Sequence, residues 1–137
     1  MGAIYEVSGQ IHLDTSREAA YLLILEQLRE ELLPEEYGYD PATGNFWIDC
    51  WATRSHAAMA RLDDALTRLG RYALQGAKLD TRYEGGDVEP FWVGPDNLAI
   101  VRAQLAETKQ EIAWALDRLA RLLWEEELWR LQQSVGS

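Results

Sequence analysis

The chain opens on alternation. In IYEVSGQIHL (4–13), Tyr5, Val7, Ile11 and Leu13 fall on one side, with Gly9 among them, and Glu6, Ser8, Gln10 and His12 fall on the other. A two-residue period predicts a half-buried strand. Thr15-Ser16-Arg17-Glu18 then has capping-box spacing, in which hydroxyl and carboxylate each reach the other's backbone amide. The helix it starts is expected over about 16–33, buried along Leu22, Leu25, Leu28 or Arg29, and Leu32, and stopped by Pro34.

EEYGYDPATGN (35–45) carries turn chemistry at Gly38, Asp40-Pro41 and Gly44-Asn45 and reads as a loop. FWIDCWAT (46–53) follows as a strand that is apolar on both sides of its alternation. Phe46, Ile48, Cys50 and Ala52 fall on one face; Trp47, Asp49, Trp51 and Thr53 fall on the other. SHAAMARLDDALTRLG (55–70) returns to helical spacing, capped by Ser55, lined by Met59, Leu62, Leu66 and Leu69, and ended by Gly70. KLDTRYEGGDVEPFWVG (78–94) reads as a hairpin turning at Gly85-Gly86-Asp87. Leu79, Thr81 and Tyr83 alternate with Lys78, Asp80 and Arg82, and Phe91 and Val93 with Trp92. Pro90 suits an edge strand, where a missing backbone donor breaks no ladder.

Asp96 is the expected N-cap of the last element. Leu98, Val101, Leu105, Ile112, Ala115, Leu119 and Leu122, with Thr108 filling the gap, make a heptad-like seam of alternating threes and fours. Polar ETKQE (107–111) interrupts it, so one long helix and two helices with a bend both fit. Ile112, Leu116, Leu119 and Leu123 serve one side, while Trp114, Trp124, Leu128 and Leu131 lie beyond it. A monomer's surface helix needs one buried stripe. More than one implies a helix sandwiched within its own chain or shared with a second copy. Ile112, Leu116, Leu119, Leu123, Trp124 and Leu128 are the candidate oligomerisation residues.

The order β-α-β-α-β-β-α places the chain in the α+β class: about four mostly antiparallel strands with helices on one face and a long C-terminal helix. The first β-α-β unit forms a right-handed crossover if its strands are parallel neighbours. Residues 1–95 are expected to form the sheet domain and 96–137 a helical segment of the same structural unit, since 137 residues suffice for one domain only. With helices on one face, the other is left open, and alternation gives it Glu6, Ser8, Gln10, His12, Trp47, Asp49, Trp51, Lys78, Asp80, Arg82 and Trp92. Each indole buries roughly 150–250 Å² when covered. Leaving three exposed forgoes several kcal/mol at roughly 25 cal/mol per Å². Trp47, Trp51 and Trp92, with Arg82, Lys78, His12 and Asp49 as polar neighbours, are therefore the candidate binding residues. Three covers are open: the chain's own last helix, a second copy, and a foreign partner or a stacked, nucleotide-like ligand.

Composition narrows the partners. At 47% apolar and 26% charged the chain is globular, and a net charge of −10 repels nucleic acid and anionic membrane while favouring a basic protein. Acids crowd at Glu26, Glu30, Glu31, Glu35, Glu36 and Asp40, and again at Glu84, Asp87 and Glu89. Such faces are usually solvated, and docking onto a basic surface is the sharper reading. Cys50 is the single cysteine, so no internal disulfide forms. With no basic-then-apolar leader and no apolar run long enough to span a bilayer, a cytoplasmic protein without membrane or direct nucleic-acid contact is expected.

Catalytic signatures are missing. His12 and His56 are too few for a His-rich metal site, one cysteine builds no zinc ribbon, and Asp63 and Asp64 diverge on their helix. No GxSxG, Walker A or GxGxxG pattern occurs. His12 with Asp49 or Asp80 is the best acid–base pair on offer. The expectation is a non-enzymatic, homo-oligomeric binding protein without cofactor or metal, sequestering or inhibiting a partner. Its rivals are a small-molecule or nucleotide-type binder and an acidic decoy of a nucleic-acid-binding protein. A compact α+β head ending in FWVGPDN (91–97) and running into a charged helix resembles, in size and style, small phage or mobile-element accessory proteins. That resemblance assigns no residue a role.

Overall fold

The computed structural model describes residues 2–136. Within it the period-two segments become strands β1 (Ala3–His12), β2 (Tyr37–Asp40), β3 (Asn45–Arg54), β4 (Ala77–Tyr83) and β5 (Glu89–Val93). The helices are α1 (Glu18–Glu31), α2 (His56–Gly70) and α3 (Asn97–Gly136), with 3-10 turns at Thr15–Arg17 and Pro34–Glu36. The sheet runs β2-β3-β1-β4-β5, and every pairing is antiparallel. The fold is α+β as the pattern predicts, with five strands among the described residues instead of four. No parallel crossover forms, because β1 and β3 run antiparallel.

The extra strand comes from the segment expected to be a loop. Tyr37-Gly-Tyr-Asp pairs with Asn45–Ile48 of β3 as a short edge hairpin. Gly38 and Asp40, which carry turn chemistry in the sequence, are themselves members of this strand, so a reading based on turn residues passes over it. Two corrections apply to α1. Among the described residues no side chain caps α1 itself: Asp14, not Thr15, caps the 3-10 turn that leads into it, accepting from the Ser16 amide at 3.1 Å, and Glu18 accepts from the Tyr39 hydroxyl. The buried stripe is Tyr21, Ile24 and Leu28, leaving Leu22 47% exposed. The run AAYLLIL is apolar all round, so its spacing alone does not fix which side turns inward. Tyr21 wins because its ring packs edge-on against Tyr39 and tilted against Tyr72, and its hydroxyl lies 2.6 Å from that of Tyr39.

The core lies between one sheet face and the two shorter helices. Val7, Ile11, Phe46, Ile48, Cys50, Leu79 and Val93 meet Tyr21 and Leu28 of α1 and Leu62, Leu66 and Leu69 of α2, all buried. Ser55 caps α2, accepting from the Ala58 amide at 3.1 Å. Central strand β1 pairs along its whole length with β3 and from Tyr5 to Gly9 with β4. Gly9 has φ +148°, and a Cβ there would sit 2.6 Å from Leu79 Cδ2. Only glycine combines that backbone with that clearance, which is why the alternation of β1 skips one apolar side chain.

The chain divides into two compact units, one ending at Ala103 and one starting at Gln104. The first two turns of α3 thus belong with the sheet, where Ile100 approaches Gly94, and not with a segment starting at residue 96. Asp96 caps α3, accepting from the Ala99 amide at 2.8 Å. One continuous helix follows. ETKQE is polar but rich in good helix formers, so it interrupts the seam without breaking the helix. No helix among the described residues is long and apolar enough to cross a membrane.

Candidate functional site

The sheet face turned away from α1 and α2 carries the side chains that alternation assigns to it. Cross-strand register arranges them in rows. Trp51 stands opposite Glu6, and Glu6 opposite Arg82. Asp49, Ser8, Asp80 and Pro90 form the next row on this face. Trp47 pairs with Gln10, and Lys78 with Trp92, in the row after that. The three tryptophans therefore do share a face, around a central Asp49–Ser8–Asp80 strip. They are not a single platform: Trp47 and Trp51 are about 13 Å apart along β3, and Trp92 lies about 14 Å across, on the far edge strand.

Each indole is held differently. Trp51 is 65% exposed. Its amide donates to Glu36 Oε2 at 3.3 Å, on the side of β3 that β2 is too short to reach. Glu36 Oε1 also accepts from the Leu33 amide at 2.8 Å and lies 4.0 Å from Arg54 Nη2, so a buried carboxylate stands in for the missing strand. Trp47 is less exposed because its ring lies over Gly38 of β2. Trp92 is half-buried.

The polar neighbours are largely engaged. Arg82 Nε lies 3.8 Å from Glu6 Oε2, beside a shallow hollow of about 240 Å³ lined by Glu6, Ser8, Asp80, Arg82 and Val88. His12 Nε2 is 3.0 Å from the Thr43 carbonyl and tethers the β2–β3 turn. His12 pairs with Asn45, two rows from Asp49 and Asp80, so the acid–base pair offered by alternation is not assembled. Lys78 and Asp49 are exposed.

On α3 every described residue from Gln104 to Val135 except Glu107 is exposed. At about 100° per residue, Ile112, Leu116, Leu119 and Leu123 fall on one side with Leu98, Val101 and Leu105. Trp124 and Leu128 fall about 120° further round the helix, with Leu131 and Val135. The six candidate residues thus belong to two stripes. The first runs from Leu98 to Leu123, where Glu126, Glu127 and Arg130 replace it, Arg130 pairing with Glu126 at 2.6 Å. The second begins near Trp114 and dominates the C-terminal turns.

Two features escaped the sequence. The Glu36–Arg54 pair is buried, although charges ending a loop and a strand read as solvated. Asp63 faces the core, accepting from the Tyr5 hydroxyl at 2.7 Å, while Asp64 turns away to Arg68 at 2.8 Å. Burial pushes the Asp63 carboxyl up, with the Tyr5 hydrogen bond pulling the other way, and burial followed by the Asp63 contact pushes the Tyr5 hydroxyl up. A tyrosine on a core-facing strand position needs a partner for its hydroxyl, which is the one signal that pointed here. Cys50 is a free, buried thiol whose pKa burial raises, so it is a poor nucleophile.

Compared with protein-family models, curated proteins and solved structures, the chain matches none.

Proposed function

We propose that this protein is a non-enzymatic, homo-oligomeric binding protein of the cytoplasm, joined through α3 and engaging a protein partner through the tryptophan-bearing sheet face. The observation that carries this reading is α3 itself. Leu98, Val101, Leu105, Ile112, Leu116, Leu119, Leu122 and Leu123 recur at heptad-like spacing, each between 49% and 61% exposed. A second copy packed along that stripe would cover apolar side chains that one chain leaves half-exposed, which favours association. Leu116 and Leu123 widen the stripe beyond a two-stranded seam, which favours more than two helices.

The sheet face supports partner binding by its chemistry. Exposed Trp51, half-covered Trp47 and Arg82 are residue types enriched where binding energy concentrates. The net charge of −10 favours a basic partner surface. Occupying such a surface would sequester or inhibit the partner. The wide spacing of its indoles favours a protein over a small stacked ligand.

Native mass spectrometry of protein purified from cells, under gentle and then denaturing conditions, tests the reading. A multiple of 15.6 kDa carrying a second protein is expected, and Trp51→Ala should release that protein without changing the multiple. A retained small molecule would favour the ligand-binding rival. A changed multiple in Trp51→Ala would make the tryptophan face part of self-association. A bare monomer overturns the proposal.

A further inference from the structure

The two shorter helices do not cover the whole of the sheet face they pack on. At the β4–β5 end a recess of about 420 Å³ remains, lined by Tyr5, Asp63, Thr81, Tyr83, Asp87, Glu89 and Phe91 together with Gly86 and Pro90. Its size is that of small-ligand sites. Tyr5, Tyr83 and Phe91 supply three aromatic rings from three adjacent strands, Tyr5 lying opposite Tyr83 in the ladder. Tyr83 is 49% exposed despite pointing to the helix side. Asp63 reaches in from α2, positioned by the Tyr5 hydroxyl at 2.7 Å, and Asp87 and Glu89 bring two further carboxyls from the turn and from β5. No Lys, Arg or His side chain is among its lining residues.

We propose that this recess binds an organic cation, a guanidinium or alkylammonium group, between the aromatic rings and Asp63. Ring faces attract cations, and the attraction grows when the site is partly desolvated. A half-buried carboxylate adds a charge-assisted hydrogen bond that a neutral isostere cannot match. A bare metal ion fits less well: among the described residues no three His, Cys, Asp or Glu side chains gather closely enough to hold one. The carboxyls are spread around a cavity, as a larger cation with its own N–H donors requires.

Isothermal titration calorimetry on the full chain tests this with N-acetyl-arginine methylamide, its neutral citrulline counterpart and spermidine. The two cations should bind and the citrulline compound should not. Asp63→Asn, which keeps an acceptor for Tyr5, and Tyr83→Ala, at a half-exposed position, should each weaken binding about tenfold or more. Tighter binding of spermidine identifies a free polyamine as the source of the group. Tighter binding of the arginine compound identifies a side chain of a peptide. No heat with either cation, equal binding of the citrulline compound, or affinity unchanged in both variants would overturn the proposal.

Discussion

Trp47 lies across Gly38: a Cβ on Gly38 would sit 2.2 Å from the indole Nε1. An aromatic ring on one strand covers the glycine of its neighbour, hiding an edge that a larger residue would leave no room to cover. Because the ring is the movable end of a side chain, Gly38→Ala should swing the indole outward and leave the backbone in place. Tryptophan emission should shift red and stability should fall by about 1 kcal/mol. An unchanged spectrum would show that Trp47 is not seated there.

Glu36 offers a stronger test of the same edge. Its two oxygens face the amides of Leu33 and Trp51 and the guanidinium of Arg54, all at one buried point. Arg54 already has an Nε without a partner among the described residues, although its Nη1 donates to the Glu31 carbonyl at 2.8 Å. Glu36→Ala would strand two amides and a buried cation, costing about 3 kcal/mol. Glu36→Gln keeps one acceptor and should cost less. Urea unfolding followed by fluorescence reads both, and equal, small losses would mean that water replaces the carboxylate.

Asp63 makes a prediction with a definite sign. Its carboxyl is raised on folding, so it contributes stability fully present below its unfolded value, about pH 4, and lost as pH rises through the folded value. Asp63→Asn removes that dependence while keeping an acceptor for Tyr5. Relative to the parent chain, the variant should gain stability between pH 4 and pH 7, as read by urea midpoints at each pH. A constant difference at both values would contradict the burial of this group.

Much of this fold was legible because the face carrying a side chain follows from a period of two. Trp47, Trp51 and Trp92 land on the open face because β1, β3, β4 and β5 keep their alternation unbroken in register. Where a segment was apolar all round, as in α1, spacing had no preference, and a tyrosine hydroxyl network chose the inward side. Where turn-type residues lie inside a four-residue strand, as Gly38 and Asp40 do in β2, the turns spoke louder than the strand. The buried Glu36 and Asp63 were hidden for another reason: their partners, Arg54 and Tyr5, are distant in sequence and meet them only through tertiary packing.

The most direct test of self-assembly through α3 is sedimentation velocity on the full chain over a wide concentration range. Leu119 lies on the stripe, outside the sheet unit, and is 52% exposed, so Leu119→Glu should leave the sheet unit's unfolding transition unchanged while placing a charge in the shared seam. The expected result is a multiple of 15.6 kDa for the parent chain and 15.6 kDa for the variant. A parent chain that sediments at 15.6 kDa throughout, or an oligomer indifferent to Leu119→Glu, would contradict assembly through this helix.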